Sequence, residues 1–425
     1  MASVVFYFQV HQPYRLRRYS VFDTDPFYFD NQKNKEILLK VADKCYRPAT
    51  QLMLELVKVH KGSFKCSYAI TGVVLDQLEA WAPDVLQTFK ELAKTGCCEF
   101  IAETYDHSLS FLYSREEFRE QIEMHTARIQ NLFGQTPTVF RNTELTYNND
   151  VAHFINSLKT KDGKPRFKGM LCEGVDRILG FRSPNYVYRP PNTGDGAIKG
   201  KPFALLLKNY RLSDDIAFRF SNRGWEEWPL SAEKFARWVH QINGDGYLCN
   251  LFMDYETFGE HQWVDTGIFE FLRAMPGAIF DVAPGQNHFN TPSEAFEQFE
   301  PVGVYDVPHM ISWADTERDL SAWLGNSMQS NALHEVYKLE RPIKDALVKA
   351  RTAGDAPRAE HLGHVLEDWR KLTTSDHFYY MCTKWFADGD VHKYFNPYDS
   401  PYDSYINFMN VMDNLRTRLA APQPA

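Results

Sequence analysis

The chain lacks the signatures of several common protein classes. It has no Gly-rich phosphate loop of either nucleotide-binding type, no Gly-x-Ser-x-Gly elbow and no His pair at metalloprotease spacing. A nucleotide-driven enzyme, a serine hydrolase and a zinc peptidase are disfavoured accordingly. No stretch approaches ~18 consecutive apolar residues, so no transmembrane helix is expected. The N-terminal segment has no basic start, and its apolar run ends in His11-Gln12-Pro13 instead of a small-residue cleavage site, so no signal peptide is expected. The seven cysteines are scattered, with Cys97 and Cys98 adjacent, and no pair has zinc-ligand spacing. Reduced thiols in a cytoplasmic protein are the simplest expectation. Positive charge is in deficit, with 47 Lys+Arg against 55 Asp+Glu and a net charge of −8. That argues against binding nucleic-acid phosphates or an anionic membrane.

What is abundant is aromatic. The chain of 425 residues carries 31 Phe, 22 Tyr and 9 Trp, more than a core needs. Aromatic faces stack on the apolar faces of sugars, which puts carbohydrate among the partners. Short β-rich runs alternate with longer amphipathic ones. Strands are expected at Val4–Val10, Lys65–Thr71, Glu99–Thr104, Thr138–Thr143, Met170–Glu173, Phe203–Leu207 and Leu248–Met253, with helices at Pro83–Lys94, Arg115–Phe133 and Asn149–Leu158. Such alternation means βαβ units and a parallel sheet or barrel, between which periodicity alone does not choose. The Gly-, Pro- and Lys-rich segment Lys159–Lys201 reads as an insertion or long loop. After about Asn326 the pattern turns helical, at Ser330–Ala350, Pro357–Leu372 and Tyr402–Leu419. The division expected is a catalytic unit over 1–325 and a helical region over 326–425.

Five segments place unusual residues at the ends of expected strands, where active sites of parallel α/β folds gather. The first is His11-Gln12-Pro13. The second, Cys98 to Ser108, packs Glu99, Glu103, Asp106 and His107 around one strand end, and Glu99 and Glu103 share strand parity. The third is Arg141-Asn142-Thr143-Glu144-Leu145, in which Arg141 is close enough to orient Glu144. A Glu at a helix N-terminus would read the same way. The fourth turns an apolar strand abruptly into Asp254-Tyr255-Glu256-Thr257-Phe258-Gly259-Glu260-His261-Gln262-Trp263. The fifth is Ser312 to Leu324, with Trp313, Asp315 and Arg318; a capped helix start accounts for it equally well. Carboxylates, His and aromatics without metal or nucleotide motifs fit a glycosidase. Such an enzyme needs one carboxyl to protonate the leaving oxygen and another to attack or to activate water.

Together the five segments, in this order over residues 11 to about 324, resemble glycoside hydrolase family 57. The strings Arg-Asn-Thr-Glu-Leu, Asp-Tyr-Glu-Thr-Phe-Gly-Glu-His and Trp-Ala-Asp-Thr-Glu-Arg-Asp-Leu-Ser-Ala-Trp-Leu resemble its α-amylase-like subgroup. The resemblance implies an incomplete (β/α)7 barrel followed by a helical region. It also implies a retaining reaction on α-1,4-glucans or maltooligosaccharides without metal or other cofactor. Glu144 is implied as nucleophile and Asp254 as acid/base. His11, Glu99 and His107 would hold sugar hydroxyls, and Trp263 and Trp313 would stack on sugar rings. Gln12, Arg141, Tyr255, Glu256, His261 and Asp315 complete the candidate substrate-binding set. Asp315 and Arg318 read equally as a structural ion pair. A 4-α-glucanotransferase or branching enzyme would use the same residues, with a sugar hydroxyl replacing water. A non-catalytic glucan-binding homologue is the alternative outside enzymes. A metal-dependent deacetylase would need an Asp and two close His, and no His pair near His11 or His107 supplies them.

Overall fold

A computed structural model describes residues 2–193, 201–384 and 396–421. Nine strands lie among them: β1 (Ala2–Val10), β2 (Cys66–Ile70), β3 (Cys98–Phe100), β4 (Val139–Arg141), β5 (Gly169–Glu173), β6 (Val187–Tyr188), β7 (Ala204–Lys208), β8 (Leu248–Asp254) and β9 (Asn287–Phe289). One sheet has the order β3-β2-β1-β8, with β9 also pairing β1, and all its pairings are parallel. The second has the order β4-β5-β7-β6, parallel except for the antiparallel β6–β7 pair. The sheets meet on both sides. Ala102, just beyond β3, makes a parallel bridge to Phe140 of β4. Between β7 and β8 the Asn250 side chain donates to Leu207 O at 2.8 Å, and the amide of Asn209 donates to Asn250 O at 2.9 Å.

Alternation along the strands decides which residues face where. In β1, Val4, Phe6, Phe8 and Val10 pack outward against helices, while Val5 and Tyr7 join an inner core. In β8, Cys249, Leu251 and Met253 face outward, and Leu248 and Phe252 inward. The inner core also takes Ala69, Ile101, Val139, Leu171, Ala204 and Leu206, from β2, just beyond β3, β4, β5 and β7, so both sheets share it. Both strand faces are covered, which is why β1 is buried over its whole length and reads as a nearly unbroken apolar run.

Helices Pro83–Lys94 and Arg115–Phe133 fall where expected, and Gly134 at φ 71° closes the second as a left-handed cap. The expected Ser330–Ala350 helix is two helices, Ser327–Lys338 and Glu340–Thr352. Pro342 is the reason: it has no N–H to offer Lys338, and its ring would meet that carbonyl in a continuous helix. The segment Lys159–Lys201 is not one loop, because β5, a short helix at Asp176–Leu179 and β6 lie inside it; residues 194–200 lie outside the described ones. Helices follow at Ala356–Leu372, Ser375–Tyr379 and Pro401–Ala420, and residues 422–425 of the tail are not among the described ones. Val336, Trp369, Phe408 and Met412 of these helices share a core with Leu16, Tyr19, Tyr28 and Leu109 from the strand-end loops. None of the seven cysteines is in a disulfide. Among the described residues no helix is long and apolar enough to cross a membrane.

Candidate active site

The inward parity continues past the apolar core to the C-terminal ends of the strands. There it brings together Gln9 near the end of β1 and His11 just after it, Thr71 after β2, Glu103 after β3, Arg141 at the end of β4, Glu173 of β5, Lys208 of β7 and Asp254 of β8. Gln9 and Asp254 are register partners. A packed apolar interior thus gives way to one polar layer. Tyr7 OH donates to Gln9 Oε1 (2.7 Å), and Gln9 Nε2 donates to Glu103 Oε1 (3.1 Å).

Glu144 sits on a tight turn instead of a helix N-terminus. Glu144 and Leu145 both take left-handed backbone, φ 58° and 50°, which costs non-Gly residues energy and needs support from around them. Asn142 supplies part of that support. Its Nδ2 donates to both Thr146 O (3.0 Å) and Thr146 Oγ1 (2.8 Å), closing the turn.

His107, itself at φ 52°, lies between two carboxylates. Its Nδ1 is 3.2 Å from Glu103 Oε2 and its Nε2 is 3.2 Å from Glu144 Oε1. Burial opposes a charge on this ring, but the two hydrogen bonds outweigh it and raise His107 to about 9. Burial likewise pushes Glu144 upward. It is overcome by His107, by the charge of Arg141 and by the indole of Trp313, whose Nε1–H donates to Glu144 Oε2 at 2.8 Å, so Glu144 is held below the usual carboxylate range. Asp254 goes the other way. Burial and the negative charge of Glu144 push it up to about 6, against Arg141, Lys208 and His107. Arg141 is fully buried, 3.9 Å from Glu103 and 4.8 Å over the Trp313 ring, and among the described residues its guanidinium nitrogens have no hydrogen-bond partner.

The helical part of the chain also enters the site. Ser375 Oγ approaches Glu144 Oε1 at 3.4 Å, and Asp376 Oδ2 is 2.9 Å from His11 Nε2. The other ring nitrogen of His11, Nδ1, is 2.9 Å from Thr71 Oγ1, and the ring stacks on His107 at 4.0 Å. Burial and the neighbouring His107 lower the pKa of His11. A neutral ring fits: the Thr71 hydroxyl donates to Nδ1 and Nε2–H donates to Asp376.

Several expected site residues lie elsewhere. Glu99 shares parity with Glu103 but sits four residues earlier, toward the N-terminal end of the strands. Its carboxylate accepts from the amide of Ser293 at the start of helix Pro292–Gln298 (2.9 Å). Glu103 occupies the place given to Glu99, and the rule that sites gather at strand C-termini favours it. Tyr255 has the opposite parity to Asp254 and is core, against Phe8, Tyr46 and Tyr68. Glu256 is buried behind Asp254, takes the Tyr46 hydroxyl proton donor and is pushed up to about 8, chiefly by burial. Gln12 lies in the same layer, where its Oε1 accepts from Arg15 (3.0 Å). Burial lowers His261 to about 4. It follows Glu260, which is paired with Lys40 (3.0 Å) and Lys44 (3.3 Å). Gly259 lets this turn close, since a Cβ there would run into the Lys44 carbonyl. Trp263 is 55% exposed, with Lys44 Nζ 5.4 Å from its ring. Trp313 is a donor to Glu144 more than an open platform. Arg318 pairs with Glu173 (3.0 Å), and Asp315, at φ 55°, lies on the same loop. Sequence reasoning missed Gln9, Thr71, Glu103, Lys208, Ser375 and Asp376 as site residues. Strand parity points to the first four; nothing local marks the last two.

The family model described as Glycosyl hydrolase family 57 matches residues 5–308. A protein of Methanocaldococcus jannaschii named "Putative alpha-amylase" is 42% identical over 416 residues, 96% of this chain and 83% of that one. Among solved structures, a GH57-type branching enzyme from Pyrococcus horikoshii superposes with TM-score 0.64 at 15% identity, covering 100% of this chain and 98% of that one. The 4-alpha-glucanotransferase of Thermococcus litoralis gives TM-score 0.59 at 16% identity; 89% of this chain is covered, and it spans 56% of that enzyme.

Proposed function

Because the chain belongs to glycosyl hydrolase family 57 and is a glycoside hydrolase, we propose that it acts on α-1,4-glucans by a retaining, α-amylase-like mechanism. Glu144 is the nucleophile and Asp254 the general acid/base. The observation that carries this reading is the opposed tuning of the two carboxyls. Glu144 is held ionised by His107, Arg141 and Trp313, while Asp254 is raised to about 6, which keeps a proton available near neutrality. Two carboxyls pushed apart by their surroundings are what acid and nucleophile roles require.

In the first step a Glu144 oxygen attacks the anomeric carbon while Asp254 gives its proton to the departing glycosidic oxygen. Asp254, now ionised, takes a proton from water, and that water displaces Glu144, restoring both groups and the anomeric configuration. His107 and Trp313 hold the two Glu144 oxygens from opposite sides and so aim one of them. The two sheets and their helices serve as an incomplete (β/α)7 barrel, and the helices after residue 326 complete the mouth through Ser375 and Asp376.

The test is the product profile on maltoheptaose, with and without chelator, beside Glu144→Gln. The expected result is only shorter, α-configured products from the wild-type protein, unaffected by chelator, and none from Glu144→Gln. Longer products would move the assignment to transglycosylation by the same residues. Turnover by Glu144→Gln would overturn the mechanism.

A further inference from the structure

The loop that carries Trp313 owes its position to the ends of β5 and β7. Lys208, the last residue of β7, is 5% exposed. Its Nζ lies 3.2 Å from Asp214 Oδ1, 3.7 Å from Glu173 Oε2 and 5.4 Å from the centre of the Trp313 ring. Glu173, the last residue of β5, is fully buried and takes Arg318 Nη1 at 3.0 Å, while Arg318 Nη2 reaches Asp214 at 3.7 Å. Two cations and two carboxylates thus form one cluster. Arg318 belongs to the Trp313 loop and closes it: its carbonyl accepts from the amide of Ser312 at 3.2 Å. Arg177 ties the same loop down by donating to the carbonyls of Glu317 and Arg318 (2.7 and 3.1 Å). Asp315 and Arg318 both take left-handed backbone, φ 55° and 50°, so the loop needs this outside hold.

We propose that Lys208 is a positioning residue for the reaction, holding the Trp313 indole against Glu144 and setting a positive charge beside Asp254. This rests on the assignment of Glu144 and Asp254 above. The ammonium is a structural partner of buried Glu173 and of Asp214, so its removal also costs stability. The charge has two further uses in this place. It attracts the face of the indole ring whose opposite need is to point N–H at Glu144, and Arg141 acts on the same ring from 4.8 Å. It also favours the ionised form of Asp254, as do Arg141 and His107, against burial and Glu144. The remaining charged or titratable groups around Asp254 are Glu256 and Tyr7. Around Lys208 they are Asp214, Glu173 and Arg318. Lys208 therefore limits how far Asp254 rises and lets it work as a base in the second step as well as an acid in the first.

The experiment compares Lys208→Met, Lys208→Gln and Lys208→Arg with the wild-type protein. It measures kcat, KM and the pH profile of kcat/KM on a maltooligosaccharide, with thermal denaturation as the folding control. Lys208→Met is expected to lose kcat by roughly tenfold with little change in KM, as for one misplaced donor at a reacting carboxylate. Its basic limb should move to higher pH by about half a unit or more, because a nearby positive charge is gone. Lys208→Arg should keep the limb in place. Where Lys208→Met fails to fold, Lys208→Gln carries the same expectation, since its amide still reaches Asp214 without the charge. Wild-type kcat in the neutral variants, a loss carried by KM, or a fall in kcat with the basic limb unmoved would overturn the role. Glu144→Gln run alongside separates the two failures. Turnover there defeats the underlying mechanism, whereas a dead Glu144→Gln with an unmoved limb in Lys208→Met defeats only Lys208.

Discussion

At the scale of residues, the site is an exercise in fixing two carboxyls at different charges. On the proposed mechanism the free protein is competent when Glu144 is ionised and Asp254 protonated. Activity, read as kcat/KM, should then fall as pH rises through about 6, where Asp254 loses its proton. The acid limb belongs to Glu144 and lies below the ordinary carboxylate range. Trp313→Phe removes the indole donor while keeping an aromatic ring. Loss of that bond raises the pKa of Glu144, so the acid limb should move up and the profile narrow from the acid side. The cost in kcat should be about ten- to a hundredfold, that of one hydrogen bond to a charged group, about 1.5–3 kcal/mol. A pH–rate series on the variant decides it, and an unmoved acid limb would count against the assigned contact. The residues that sequence alone marked, Glu144, Asp254, His107, Arg141 and Trp313, were visible because acids, His and Trp follow apolar runs abruptly. Glu99 is implied by the resemblance, whereas parity puts Glu99 and Glu103 on the same face; depth along the strand is what separates them. Tyr255 and Glu256 were drawn in by adjacency to Asp254, although alternation sends Tyr255 into the opposite core.

At the scale of elements, strands and turns place these groups more than helices do. Inner-facing residues at or just past the C-terminal ends of β1 to β5, β7 and β8 contribute the polar groups, and the third segment adds a turn that no strand or helix pattern announces. Thr143 to Leu145 form a single tight turn in which two consecutive non-Gly residues hold positive φ. Sequence allowed a helix start there, because acids near a helix N-terminus are common and left-handed backbone at Glu and Leu is not. Asn142 is the clamp. Asn142→Ala removes both bonds to Thr146 and leaves the strained turn to relax, which swings the Glu144 carboxyl away from His107 and Trp313. The expected result is a loss of kcat of about a hundredfold, in line with the effect of a 1 Å misplacement at a reacting group. Thermal stability should fall only modestly. A variant with near wild-type kcat would show that the turn is held without this clamp. The alternating β/α order and the later helices were legible because long periodic segments carry strong signals. The break at Leu339 carries a sequence signal of its own in Pro342.

At the scale of the whole molecule, the chain's two regions make one site. Sequence divided it near residue 325 because β-rich runs stop there, and no local signal ties Ser375 or Asp376 to His11 or Glu144, more than 230 residues away. Packing makes the tie. Thr374 donates to Asp106 O at 2.8 Å, and the amide of Ser375 donates to His107 O at 2.9 Å, so the loop bearing the charged His is pinned by the helical region. Beneath it, Glu117 is fully buried and paired with Lys344 at 2.7 Å and Arg370 at 2.8 Å, both from helices after residue 326. Removing those helices strips Glu117 of both cations. It also uncovers the apolar face formed by Leu16, Tyr19, Tyr28 and Leu109. Residues 1–325 expressed alone should therefore give no glucan turnover and a less stable or aggregated protein. Adding residues 326–425 back as a separate chain should restore activity only if it docks and returns Asp376 to His11. The narrower variant Asp376→Asn isolates that last contact. It keeps the fold and an acceptor for His11 Nε2–H but removes a negative charge beside two stacked imidazoles. With less negative potential, His107 holds its proton less tightly, so its pKa should fall from about 9. The acid limb of Glu144 should not rise, because His107 stays protonated there and a negative charge is gone. An acid limb that rose as in Trp313→Phe would count against this reading. A fully active 1–325 fragment, measured on maltoheptaose, would show instead that the strand ends suffice and that the helices serve stability alone.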